Sequence, residues 1–177
     1  NQFLANIRSC NAVVHVVRAF SDSNVTHVDA THNPDKDIAV INTELALADL
    51  QTVNNRLPRI EKEARSNPKL ATVLDALNAA KKVLDSGETM NSHPEIDTTL
   101  LSDLQLITAK PVIYLFNVDE DTISDAPKKS ELEKLVAPAK ALFVCAKLED
   151  ELKNLDETDR NELLASYGQE ESGLIQL

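Results

Sequence analysis

Glycine is nearly absent, at 3 of 177 residues, where an average chain carries roughly 7%. Gly87, Gly168 and Gly173 stand far from one another except at the end of the chain, so no glycine-rich phosphate loop can be built from this stretch. Aromatic residues make up 3% and tryptophan is missing, which leaves an aliphatic, helix-rich core. Cys10 and Cys145 are too few and too far apart for a disulfide framework or a zinc site, and they suit a reducing, cytoplasmic setting. No signal peptide is evident and no apolar run is long enough to span a bilayer. A monomer that does not engage membranes is expected. Positive charge is also short, 18 Lys+Arg against 29 Asp+Glu for a net charge of -11. That balance opposes attraction of the whole surface to nucleic acid or an anionic membrane and leaves only a local basic patch for such a role. The chain opens on Asn1-Gln2-Phe3-Leu4 without a methionine and stops at Leu174-Ile175-Gln176-Leu177 inside what reads as a helix, so it is expected to be a piece of a longer protein.

What is present centres on Lys110-Pro111-Val112-Ile113-Tyr114-Leu115-Phe116-Asn117-Val118-Asp119-Glu120. Five apolar residues follow a proline and stop abruptly at polar positions, the pattern of a strand buried on both faces. Ala12 to Val17 reads as another short strand, with His15 a structural residue inside it, and Ala141 to Cys145 as a third. Phe3, Leu4 and Ile7 mark a helix at the start. Arg18 to Asn33 reads as a polar loop in which His27 and His32 have no ligand partners. Asn33-Pro34, with Asp35 and Asp37 behind it, opens a long helix to about Ser66. Pro58 should bend that helix without breaking it, because it removes one donor. Asn67-Pro68 starts a second helix that Gly87 ends, and the tight corner predicts an antiparallel pair. Glu88 to Glu95 reads as a flexible return and Asp97 to Ile107 as a third helix. Lys128 to Ala137 and a tail from Asp156 to a stop at Gly168 are further helices.

This order predicts an α/β fold with parallel strands and a helical insertion. Ligands of such folds gather where strands end, which singles out Asn117-Val118-Asp119-Glu120 and Cys145-Ala146-Lys147. The first loop resembles the one with which GTPase-like domains read a nucleotide base, an Asn with a carboxylate three residues on, although an isolated Asn-x-x-Glu is more often an acidic surface turn. The second, one helix later, resembles the loop that gives the base a backbone amide in such domains, and the pair favours the first reading. Cys145, closing a buried strand, reads as a small core residue.

Ile41-Asn42-Thr43-Glu44-Leu45-Ala46-Leu47-Ala48-Asp49-Leu50, Thr108-Ala109-Lys110-Pro111, Asn117-Val118-Asp119-Glu120 and Glu170-Glu171-Ser172-Gly173-Leu174 together resemble the YchF family, the Obg-like ATPases, over nearly the whole chain. The resemblance implies the C-terminal part of a parallel-sheet P-loop NTPase (G) domain, residues 1–33 and 108–177, carrying a long antiparallel coiled-coil insertion at 34–107, with a TGS domain to follow. It implies preference for ATP over GTP, with Asn117, Val118 and Glu120 around the adenine, Ala146 closing the base pocket, and Cys145 and Lys147 beside it. It also implies binding to the ribosome, through the large subunit or its RNA. The usual Asn-Lys-x-Asp of GTP-reading domains is replaced here by Asn-Val-Asp-Glu. Phosphate loop, Mg²⁺-binding Thr and Asp-x-x-Gly segment would all precede Asn1, so the resemblance places no catalytic and no metal-binding residue in this chain, and ATP hydrolysis with Mg²⁺ would need residues outside it. Alone, the chain is expected to be inactive.

A second function class is a non-catalytic helical module for protein or RNA, with a plain acidic scaffold as a third. Arg56, Arg59, Lys62, Arg65 and Lys69 face only Glu61 and Glu63 over the same segment, a net of +3 in an acidic chain. A solvated helix face explains such a run equally well; the functional reading is a basic tip for ribosomal RNA phosphates.

Overall fold

The computed structural model describes residues 2–20 and 33–177. His27, His32 and most of the expected polar loop lie outside the described residues. Two compact units form, one from residues 2–13 and 38–111 and the other from 14–20, 33–37 and 112–177.

The first unit is helical. Helix α1 (Gln2–Arg8) is followed in this unit by α2 (Pro34–Ala64, whose first turn belongs to the other unit) and α3 (Ala71–Asp85). Asn33 starts α2 as expected: its side-chain oxygen accepts the Lys36 amide at 3.3 Å and its carbonyl the Asp37 amide at 3.0 Å. The helix continues through Pro58 for 31 residues. Pro58 sits on the exposed side, where water can satisfy the carbonyl that the missing donor leaves open. Asn67 then caps a 3₁₀ turn, Pro68–Leu70, by accepting the Lys69 amide at 3.2 Å, and α3 stops before Gly87, whose φ of +82° suits a residue without Cβ. Ala46, Val53 and Ile60 recur at seven-residue spacing on α2 and meet Ala76, Leu77, Ala80 and Leu84 of α3. Each larger side chain so buried contributes about 1.5–3 kcal/mol.

Beneath this seam lies a carboxylate. Asp49, fully buried, accepts the amides of Ile107 (3.0 Å) and Thr108 (2.7 Å) and the Thr108 hydroxyl (2.9 Å) and pairs with Arg8 at 2.9 Å. Arg8 also donates to the carbonyls of Ala48 and Gln105. The charge is thus matched by four donors, the condition for burying it.

Three expectations fail here. The third helix is no α-helix: Thr98–Leu104 is 3₁₀, ended by Gln105 at φ 48°, and Ile107–Ala109 forms a separate 3₁₀ turn. Asp49 takes the two amides that a continuing helix would have turned inward, and Asp97 caps Thr99. The return at Glu88–Glu95 is organised, with Met90 buried in the helical core and His93 between Glu88 (2.6 Å) and Glu95 (2.9 Å). In the other unit, the end of the chain is a turn and not a helix, the Ile175 amide donating to the Ser172 carbonyl at 3.0 Å.

The second unit carries a three-stranded parallel sheet ordered β1 (Val13–Ala19), β2 (Val112–Val118), β3 (Lys140–Val144). β2 buries Tyr114, Leu115, Phe116 and Val118. Helix α4 (Glu120–Ile123) follows β2, α5 (Ala126–Val136) leads to β3, and α6 (Ala146–Leu152) and α7 (Glu157–Ser166) follow it. Asp125 and Asp156 cap α5 and α7 at 3.0 Å each. α6 escaped the sequence reading because it is seven residues long and begins directly at the strand end. His15 is half-buried beside Tyr114, ring centroids 5.1 Å apart, and burial lowers its pKa below the ordinary 6.5.

Candidate functional site

The register of β2 and β3 builds the site. Asn117 stands opposite Val144, so two parallel strands end level and release their loops on one side. Asn117, Val118, Asp119 and Glu120 from the first loop, Cys145, Ala146 and Lys147 from the second, and Phe20 just beyond β1 line one cavity of about 240 Å³. That is smaller than the roughly 300–1,000 Å³ of sites for drug-sized ligands and of a size for a heterocyclic base.

Each loop is tied to the other. Asn117 Oδ1 accepts the Ala146 amide at 3.1 Å, which turns the Asn117 amide nitrogen, with two donors, away from that bond. Glu120 Oε1 accepts from Lys147 Nζ at 2.7 Å, and this bond, with the carboxylate's charge, raises the Lys147 pKa above its ordinary value. The pair is open to solvent and can exchange partners readily. Asp119 faces away from this contact: its carboxylate accepts the Thr122 amide at 2.8 Å and caps α4. The Thr122 side chain is the largest cause that holds its pKa below the usual carboxylate value. Cys145 is buried at the start of α6 and Val118 is buried at the end of β2, so both shape the wall chiefly through their backbone.

All six residues singled out in the two loops therefore come together. Phe20 and Asp119 are additions. Phe20 is part of the cavity lining, and the Arg18 guanidinium lies over its ring, 4.5 Å from the centroid. Its signal in the sequence was an aromatic residue at the end of β1, in a chain with four phenylalanines.

The basic run is less uniform than its composition suggests. Arg56 pairs with Asp103 at 3.0 Å and Arg59 with Glu63 at 2.8 Å, while Lys62, Arg65 and Lys69 are exposed and have no ion pair among the described residues. Among the described residues no cluster of His, Cys, Asp and Glu is arranged to hold a metal ion, and no helix is long and apolar enough to cross a membrane.

No protein-family model matches the chain. Over its whole length it is 38% identical to the ribosome-binding ATPase YchF of Bacillus subtilis, of which it covers 50%. Along its whole length the stretch is similar to members of the YchF family. The YchF ribosome-binding ATPase of Escherichia coli O157:H7 is 36% identical across 98% of the chain and 49% of its own length. The structure of the Schizosaccharomyces pombe YchF GTPase superposes with a TM-score of 0.82 at 24% identity, over 99% of this chain and 50% of that one, and shares its fold. The chain spans about half the length of the YchF relatives it matches.

Proposed function

We propose that this YchF-like stretch supplies the base-recognition part of a ribosome-associated ATPase, and that its cavity receives adenine. The observation that carries the reading is the convergence of Asn117, Glu120, Ala146 and Lys147 on one small cavity, cross-linked at 3.1 and 2.7 Å. The Asn117 amide donors suit a ring nitrogen of a purine, and Phe20 offers a surface for stacking. Glu120 already gives one oxygen to Lys147. A carboxylate so engaged suits the single exocyclic amino group of adenine better than the two donors of guanine, which call for both oxygens.

ATP with Mg²⁺ is the ligand that this reading implies. The base fits the polar atoms at hand; the phosphates, the metal and the hydrolytic groups belong to residues outside this chain. The metal, when bound, neutralises phosphate charge. Residues of this chain hold the base, orient it against the wall of Cys145 and Ala146, and leave chemistry to the remainder. The reading divides the labour between a base-side part at 1–33 and 108–177 and a helical insertion at 34–107, with residues 2–13 and 108–111 packed in the helical unit.

Nucleotide competition on the full-length protein tests the reading. ATP should displace a labelled nucleotide better than GTP, and Glu120→Asp should move the preference about tenfold toward GTP, the scale of one bidentate base contact. Equal competition by both nucleotides, before and after the change, would remove Glu120 as base reader.

A second role is favoured by Lys62, Arg65 and Lys69, exposed on the helical unit without ion pairs among the described residues. They present donors to phosphate, and an RNA of the ribosome is the partner this charge suits. Such an arm could also serve without any nucleotide, as an interaction module in its own right.

A further inference from the structure

The segment that follows α7 touches the short helices into which both base loops lead. At its first end, Ser124 Oγ donates to the Tyr167 carbonyl at 3.0 Å, and Gln169 Nε2 donates to the Ile123 carbonyl at 3.2 Å as well as to the Tyr167 carbonyl at 3.3 Å. Ile123 and Ser124 close the short helix that Glu120 opens. At its other end, Ser172 Oγ donates to Glu149 Oε2 at 2.6 Å, one turn into the helix that Ala146 opens. Between these anchors the Gln169 amide closes on the Leu164 carbonyl at 2.9 Å, fixing how the segment leaves α7.

Gly173 completes the second contact by its lack of a side chain. A Cβ there would lie 2.6 Å from the Phe143 carbonyl oxygen and 3.3 Å from Val144 Cα. Both are backbone atoms of β3, directly before Cys145, and cannot swing aside. The glycine is required by this close approach and not by its torsion angle, and it lets the segment lie against the strand that releases the second loop. β3 is the last strand in the sheet order, so this edge is where a segment can lie without displacing a neighbour.

None of Tyr167, Gln169, Ser172 or Gly173 lines the cavity. Their partners stand one to four residues along the chain from residues that do. We propose that Tyr167 to Gly173 forms a brace that sets the spacing between the Asn117–Glu120 loop and the Cys145–Lys147 loop, making Gln169, Ser172 and Gly173 positioning residues for the base. The proposal rests on the reading of the cavity as a base site. It adds that a segment beyond the site's own sequence controls affinity for the base, and that whatever pulls on the chain after Gly173 changes nucleotide affinity at the same time.

The test compares ATP with inorganic tripolyphosphate, which shares the phosphates and lacks the base, on the full-length protein. Gln169→Leu, Ser172→Ala and the double variant should weaken ATP binding about tenfold, since small misplacements of positioned groups are costly, and should leave tripolyphosphate within about twofold. KM for ATP should rise while kcat holds. Ser172→Thr, which keeps the hydroxyl, should restore ATP affinity toward that of the parent. Gly173→Ala should follow the same pattern if it folds; the Ser172 and Gln169 variants carry the test if it does not. Parallel loss of ATP and tripolyphosphate binding, or unchanged ATP affinity in the double variant, would overturn the brace while the base reading stands. A parent protein that binds ATP no more tightly than tripolyphosphate would overturn both.

Discussion

Lys147 and His93 show how single side chains convert position into measurable behaviour. Lys147 holds one Glu120 oxygen at 2.7 Å. Lys147→Ala frees both oxygens for the two donors of guanine, so GTP competition should improve several-fold relative to ATP in the full-length protein; an unchanged ratio would show that the pair has no part in base choice. His93 lies between two carboxylates, and the bonds to Glu95 and then Glu88 raise its pKa above 6.5. Its contribution to folding is fully present below 6.5 and is lost as pH rises through the raised value. Glu88 and Glu95 are shifted the other way, below 4.5, the first chiefly by His93 and the second first by its own backbone amide and then by His93. Their contribution is present above 4.5 and is lost as pH falls through the lowered values. Between those limits the return at Glu88–Glu95 is held most firmly. Hydrogen-exchange protection of the Ser92 and His93 amides, which close the 3₁₀ turn onto Thr89 and Met90, should therefore be greater at about pH 5.5 than at about pH 8.5, and His93→Gln should abolish the difference. Equal protection at both values would mean that Met90 alone fixes the turn.

Among the elements, α2 is decided by two residues that the sequence presents as liabilities. Pro58 interrupts the backbone ladder but stays on the exposed side, and the helix runs on. Pro58→Ala restores a donor and relieves the clash with the preceding turn, partly offset by greater freedom of the unfolded chain, and should stabilise the protein by about 1–2 kcal/mol in thermal or denaturant unfolding. A lower melting temperature would show that the proline matches its local backbone. Asp49 is the opposite case, a carboxylate in the apolar stripe with every bond satisfied. Asp49→Ala leaves two amides and the Thr108 hydroxyl without their acceptor and Arg8 without its counter-ion, and should cost about 3–5 kcal/mol, read as a lower denaturation midpoint. A loss below about 1 kcal/mol would mean that water replaces the carboxylate.

For the molecule as a whole, charge is the organising quantity. An acidic chain of net -11 places its surplus positive charge on one segment of the helical unit. The structure narrows that segment, since Asp103 and Glu63 already occupy Arg56 and Arg59. Replacing Lys62, Arg65 and Lys69 by Glu should weaken co-sedimentation of the full-length protein with ribosomes and flatten its salt dependence, because each lost phosphate contact removes counterion release. ATP hydrolysis without ribosomes should stay near the parent rate. Undiminished co-sedimentation across a salt series would take this segment out of the interface.

The helices and strands that carry long periodic patterns were legible in the residues themselves: α2 from Asn33-Pro34, α3 from Asn67-Pro68, β2 from its apolar run, and the two loops at the strand ends. Local chemistry fixes these, because caps, prolines and hydrophobic spacing act within a few residues. What local chemistry could not supply is every contact made across the chain. Asp49 reaches 58 and 59 residues forward to take the amides of Ile107 and Thr108, and so turns an expected helix into two 3₁₀ pieces. Phe20 joins loops about a hundred residues away only when β1 lies beside β2. Gly173 has a reason only once the Phe143 carbonyl stands 2.6 Å from where its Cβ would be, a steric fact of two backbones meeting that no neighbouring residue announces.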